Sequence, residues 1–181
     1  MITRDLISDF YESKWGRPKR KARFDVLGHP MEVGKWDEEA TGEDVTMYAT
    51  NGASALESVQ SPGRRVEFYV GFSPEFDDIA SALSLLGSYP LTGAAVSVGD
   101  TVTLGDPLWS GAPVNTFLIA PQIEELFDPF VLPDSSHVHF YQVLLISENE
   151  LKLKQQLGAR WLLGELNDQG IPTWKHDRRY L

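Results

Sequence analysis

The chain contains no cysteine, which removes disulfide scaffolding, thiolate metal sites and thiol nucleophiles at once. It has no apolar run of membrane-spanning length; the longest mainly apolar stretches, such as Phe140–Ile146, are strand-length. The N-terminus sets Asp5, Asp9 and Glu12 among its apolar residues, so it does not read as a signal peptide. No P-loop, no G-x-G-x-x-G turn and no G-x-S-x-G elbow is present, which leaves nucleotide-fold and serine-hydrolase signatures without support. These absences fit a cytoplasmic protein without membrane contact.

Positive charge is the other scarcity. No Lys or Arg occurs between Arg65 and Lys152, and that 86-residue stretch holds twelve acids. The net charge is −10, yet residues 1–24 carry seven basic side chains against three acids. The remainder therefore carries about −14. A field of one sign repels nucleic acid and speeds encounter with a cationic partner. An acidic surface that merely keeps the protein soluble explains the same numbers.

What is present suffices for one core: 181 residues, 42% hydrophobic and 11% aromatic. Ile7, Phe10, Tyr11 and Trp15 lie near helical spacing, and Gly16 and Pro18 end that run. The basic run Arg17–Arg23 reads as a linker. Short strands are expected at Phe24–Val26 and Met31–Val33 around Gly28-His29-Pro30, and a longer one over Val45–Thr50. Arg64–Phe72 alternates cleanly, with Val66, Phe68 and Val70 on one face. Ser73-Pro74-Glu75 has the residues of a helix start, followed by Phe76, Ile79, Ala80, Leu83 and Leu86 on one stripe.

Val96–Leu104 alternates around a Gly99-Asp100 turn, and Val114–Ala120 and Val138–Ile146 read as buried strands. Ser147 with Glu150 forms a capping box. The helix it opens breaks at Gly158, resumes over Ala159–Leu166 and stops at Gly170 and Pro172. We therefore expect an α+β fold: one domain over residues 1–181, with a mixed, mostly antiparallel sheet packed with helices. Residues 1–23 are its N-terminal helix plus basic linker.

Catalytic and metal patterns are thin. His137 and His139 alternate on a strand and could share a metal with Asp134, but no fourth ligand is evident. Glu124 with Asp128, or Asp77 with Asp78, could be paired acids; acids in the first turn of a helix explain the second pair more simply. Ser135, Ser136 and His137 are adjacent, which is not triad geometry. We expect no cofactor, no bound metal and no enzymatic activity. Of the five tryptophans, periodicity places Trp15 and Trp161 in the core. Trp36 and Trp109 sit in turn-rich segments and are the better candidates for partner contact.

Four segments, taken in order, resemble the suppressor-of-fused family. Val45–Ser54 is similar to its Y-x-T-x-G-x-S strand and turn, here Tyr48, Thr50, Gly52 and Ser54. Arg65–Val70 runs into the helix carrying Phe76, Ile79 and Leu83. Val98–Leu108 resembles the G-D-x-x-x-L-G-x-P loop. Phe140–Leu151 resembles the strand ending P-I-(T/S)-x-x-E-L, with Leu145 where the family often has proline, and Gly158 and Gly170-Ile171-Pro172 follow. The matches span roughly residues 20–176.

The resemblance implies a suppressor-of-fused-like fold and a binding role. Eukaryotic relatives sequester a transcription factor, and short bacterial relatives look like immunity proteins that neutralise polymorphic toxins. The expectation is an immunity protein, monomeric or weakly dimeric, that binds a basic cognate toxin and no nucleic acid. Its contacts are expected at Trp36, Asp37, Glu38, Glu39, Asp106, Trp109, Glu124, Glu125 and Asp128. A regulatory adaptor that captures an endogenous protein by adding a strand to a sheet edge, or a small hydrolase, are the rival readings.

Overall fold

A computed structural model describes residues 3–56, 63–121 and 126–181. Its centre is an eight-stranded sheet. The strands are β1 (Arg20–Val26), β2 (His29–Trp36), β3 (Thr46–Asn51), β4 (Arg64–Phe72), β5 (Thr101–Thr103), β6 (Val114–Ala120), β7 (Phe130–Val131) and β8 (His137–Ser147). They are ordered β1-β2-β3-β4-β8-β6-β5, with β7 beside β8. Among these strands β4 and β8 are the one parallel pair. The helices are α1 (Thr3–Trp15), α2 (Glu38–Thr41), α3 (Asp78–Gly87), α4 (Glu148–Leu157) and α5 (Ala159–Asp168). The α+β fold with a mixed, mostly antiparallel sheet is the one expected.

Period-2 alternation gives the sheet two apolar faces. On one, Ile79, Leu83 and Leu86 of α3 cover Met31, Val33, Tyr48, Val66, Phe68 and Val70. On the other, Ile7, Tyr11 and Trp15, one α1 stripe at i, i+4, i+8, pack on Met47, Ala49, Tyr69 and Phe140. Further along that second face, Leu162 and Leu166 of α5 cover Leu118, Ala120, Leu144 and Ile146. Full burial of each large apolar side chain contributes about 1.5–3 kcal/mol before ordering entropy is subtracted.

Two buried carboxylates tie the sequence motifs together. Glu67 on β4 is fully buried and accepts from Thr50 Oγ1 at 2.5 Å, Gly52 N–H at 3.0 Å, and Ser54 N–H and Oγ at 3.0 and 2.6 Å. Thr50, Gly52 and Ser54 of the strand-and-turn motif are thus the donors that surround one carboxylate. Gly52 can serve because its φ of 136° is open to glycine. Burial raises the Glu67 pKa, and these hydrogen bonds oppose the rise. Tyr48, the first residue of the motif, instead accepts the Phe76 N–H at 3.0 Å and is pushed up to about 12 by burial.

The second carboxylate is Glu150. It completes the capping box with Ser147 and accepts from Nη1 and Nη2 of Arg178, at 2.7 and 2.8 Å. Arg178 also donates to the Leu145 carbonyl at 2.9 Å. The C-terminal segment is thereby clamped onto β8 at Leu145.

Four expectations are corrected. Arg20–Arg23 is not linker but part of the edge strand β1, its charges matched by Asp77 and Glu32; a charged edge resists further pairing. Ser73 does not cap a helix, because its N–H and C=O bond Trp174 O and His176 N, and α3 begins only at Asp78. The alternating stretch Val96–Leu104 is strand over Thr101–Thr103 alone, since Asp100 folds back on Ser97. Trp161 is 40% exposed, because Leu162 and Leu166 supply the buried stripe of α5.

Candidate protein-binding cleft

The parallel pairing of β4 with β8 runs from Arg64↔His137 to Tyr69↔Gln142 and goes no further. Past that point β4 stays with β3, up to Thr46↔Phe72, whereas β8 stays with β6. The two strands diverge, and a cleft of about 350 Å³ opens between them. Val45, Met47 and Gly71 form one wall and Gln142–Leu144 the other. It lies between the α1 cluster, to which Met47 belongs, and the α5 cluster, to which Leu144 belongs.

Gly71 is required by that wall. A Cβ there would lie 2.7 Å from Val45 Cγ2 and 3.1 Å from Met47 Sδ. Glu43 and Asp44 stand exposed at the rim. The third side is the C-terminal segment, with Thr173 and Trp174. Trp174 is 45% exposed, while its backbone is fixed by the Ser73 N–H donating to Trp174 O at 2.9 Å. An apolar floor, a half-exposed indole and two carboxylates together suit a partner segment that is apolar with cationic flanks.

The residues expected to make contact fall elsewhere. Trp36 and Trp109 are 2% and 7% exposed, which corrects their placement as surface anchors. Trp36 packs on Tyr11 and Trp15 and donates its indole N–H to Gly16 O at 2.9 Å. Trp109 packs among Phe72, Phe76 and His176. Both loops are turn-rich, but each folds its ring inward.

Asp37 caps α2 by accepting from Ala40 N–H at 3.1 Å, and Glu38 and Glu39 are exposed in its first turn. Asp106 is exposed beside α3, on the opposite face of the sheet from α1 and α2. Asp128 is exposed next to Phe127, which is buried against α1. Glu124 and Glu125 lie outside the described residues. The acids therefore do not form one patch. Glu43 and Asp44 went unnoticed in the sequence because nothing there shows that they border a break in strand pairing.

Among the described residues the histidine pair gains no metal-site geometry. Asp134 accepts from Ser136 and pairs with Arg65, which holds its carboxyl below the usual range. The His139 pKa is lowered by burial, with Arg64 and His137 adding to the effect. Among the described residues no group of three His, Cys, Asp or Glu side chains is placed to hold a metal. No helix among them is long and apolar enough to cross a membrane.

A stiffer feature lies just beyond the same end of β4, on the loop that follows it. Lys35, 6% exposed, donates to Glu75 and Asp77 at 2.6 Å each, and Arg20 reaches Asp77 at 2.5 Å. Burial works against the Lys35 charge, but the two carboxylates outweigh it and raise its pKa. The hydrogen bonds from Lys35 in turn lower Glu75 and Asp77. This network fixes the loop after β4 to the β1–β2 hairpin.

Comparison with known proteins then places the whole arrangement. The sequence model of one family, described as Suppressor of fused protein (SUFU), matches residues 24–179. None of the curated proteins matches the chain in sequence. A SUFU homologue from Neisseria gonorrhoeae superposes with a TM-score of 0.74 at 16% identity, covering 98% of this chain and 96% of that one. A chain from a Sufu–Fu complex superposes at 0.69 and 16% identity, covering 98% and 91%. Drosophila Suppressor of Fused gives 0.68 at 15% identity over 96% of this chain, which spans 49% of the fly chain.

Proposed function

This chain belongs to the suppressor of fused family, and from that premise we propose that it is a protein-binding module that neutralises a cognate, basic bacterial toxin by stoichiometric contact. The observation that carries the reading is the cleft at the β4–β8 divergence, apolar within, acidic at Glu43 and Asp44, and walled by Trp174. A relative crystallised in a Sufu–Fu complex supports binding of protein over catalysis. The net charge of −10 supports a cationic partner. The occupant is an apolar segment of the toxin flanked by Lys or Arg. Trp174 supplies the buried area, and the acids supply orientation and encounter rate.

The direct test is genetic and biochemical together. The toxin is the product of a neighbouring gene whose expression alone arrests growth. Co-expression of this chain is expected to restore growth, and the two proteins to co-purify at one to one. Continued arrest with both proteins present and soluble would reject the immunity role. The alternative reading, an adaptor for an endogenous peptide, draws on β5, a sheet-edge strand paired with β6. It predicts that an endogenous partner, and no neighbouring product, co-purifies.

A further inference from the structure

We propose that the open flank of α3 is a second protein-docking surface, and that its occupant is an amphipathic helix of a partner protein with Lys or Arg along its rims. A hollow of about 500 Å³ lies between this flank and segment 104–109. It shares no lining residue with the β4–β8 cleft and needs nothing bound there.

The leading observation is the composition of α3. From Ile79 to Gly87 it holds no charged residue, although Ser81 and Leu85 are exposed. The other long helices carry charge on their exposed positions, as Asp9 and Lys14 do on α1, Lys152 on α4 and Arg160 on α5. A helix that is apolar nearly all round is ordinarily covered on every side. The sheet covers Ile79, Leu83 and Leu86, but Leu85 stays 45% exposed. Asp78, Ser81, Ala82 and Leu85, at i, i+3, i+4 and i+7, line the hollow as a stripe about 10 Å long. Leu104, Leu108 and Trp109 line it from the other side.

Charge decides the occupant. Among the described residues Asp78 and Asp106 line the hollow, and no Lys, Arg or His does. Neither acid has a cationic partner among them, whereas the adjacent Asp77 takes both Lys35 and Arg20. A second copy meeting this face isologously would set the same carboxylates against each other, between chains of net charge −10. A cationic partner neutralises them instead. The walls decide the occupant's secondary structure. Leu104 and Leu108 donate their N–H groups to Asn115 O and Val114 O of β6, at 2.8 and 3.0 Å. Segment 104–109 thus turns these donors to β6 and meets the hollow with side chains rather than a strand edge. Beside a helical stripe, a second helix packs its ridges into the grooves of the first.

The test titrates the full chain with two synthetic peptides of roughly four helical turns, a Leu/Lys amphipathic helix and its Leu/Glu counterpart. The Leu/Lys peptide is expected to bind saturably and about tenfold or more tighter than the Leu/Glu peptide. Leu85→Gln is expected to weaken it by about tenfold, with the circular dichroism spectrum unchanged. Asp78→Asn/Asp106→Asn should weaken it and flatten its salt dependence. In the unsubstituted protein the Leu85 and Leu104 methyl resonances should shift on peptide addition, a readout that needs no variant. Affinity lost in Glu43→Lys/Asp44→Lys but kept in Leu85→Gln would overturn this surface while leaving the cleft reading intact, because the peptide would then sit in the cleft. No saturable binding, or unmoved Leu85 and Leu104 methyls, would overturn it outright. A dimer in analytical ultracentrifugation that Leu85→Gln abolishes would overturn it too, by giving the face to a second copy.

Discussion

Removing Arg178 is expected to be the most damaging single truncation outside the apolar core. Its side chain and that of Glu150 are 1% and 0% exposed, so neither charge can be rehydrated without unfolding the C-terminal segment. In Arg178→Met the Glu150 carboxylate keeps its capping bond to Ser147 N–H at 2.9 Å. It loses two charge-assisted bonds, and the Leu145 carbonyl loses its donor. Breaking a buried pair in this way costs about 3–5 kcal/mol. For a domain of this size each kcal/mol moves Tm by about 2–4 °C, so the drop should fall between about 6 and 20 °C.

Scanning calorimetry on wild type, Arg178→Met and the double variant Glu150→Leu/Arg178→Met would check it. The double variant should recover part of the loss, because it no longer buries a lone charge, but not all, because the capping box is gone. A Tm for Arg178→Met within about 2 °C of wild type would refute the reasoning, since only a hydrated pair behaves so.

Two further outcomes follow from the same physics. Gly71→Ala forces a methyl to within 2.7 Å of Val45, and overpacking of this kind costs about 1–3 kcal/mol in urea denaturation. The variant should also weaken partner binding, because the displaced side chains narrow the cleft. Lys35→Met should flatten the pH dependence of stability at both ends. The lowered Glu75 and Asp77 groups stabilise the fold above their unfolded pKa values, about 4, and lose that contribution as pH falls through the folded ones. The raised Lys35 stabilises below about pH 10.4 and loses its contribution as pH rises through the folded value. Both effects should be modest because the carboxylates are 43% and 46% exposed; thermal melts from pH 2 to 11 would read them.

Much of the architecture was legible because it is written in local periodicity. The α1 stripe, the β4 alternation, the Ser147–Glu150 capping box and the break at Gly158 are all found where the residues indicate. The misses share a cause in long-range contact. Nothing near Ser73 reveals that its backbone bonds are taken by Trp174 and His176, a hundred residues away in sequence. Turn-rich surroundings made Trp36 and Trp109 look exposed, yet Tyr11 and His176 lie over them from distant elements. The cleft was invisible for the same reason. It exists because the β4–β8 pairing ends at Tyr69↔Gln142, and a residue's distance from the end of a parallel pairing is not encoded in its neighbours. The Y-x-T-x-G-x-S motif, by contrast, was found as a pattern and explained only by Glu67 beneath it.

The central claim, that a basic partner docks in the β4–β8 cleft, is tested most directly by isothermal titration of the purified neighbouring-gene toxin into wild type, Trp174→Ala and the double variant Glu43→Lys/Asp44→Lys. Glu43 and Asp44 are exposed, so the charge reversal should leave the melting temperature nearly unchanged, whereas truncating Trp174, 45% exposed, should lower it modestly. The cleft predicts that each variant weakens binding by about tenfold or more. It also predicts that raising salt weakens wild type more than the charge-reversed variant. Full affinity in both variants, with an unaltered salt dependence, would contradict it and move the interface to another face of the sheet.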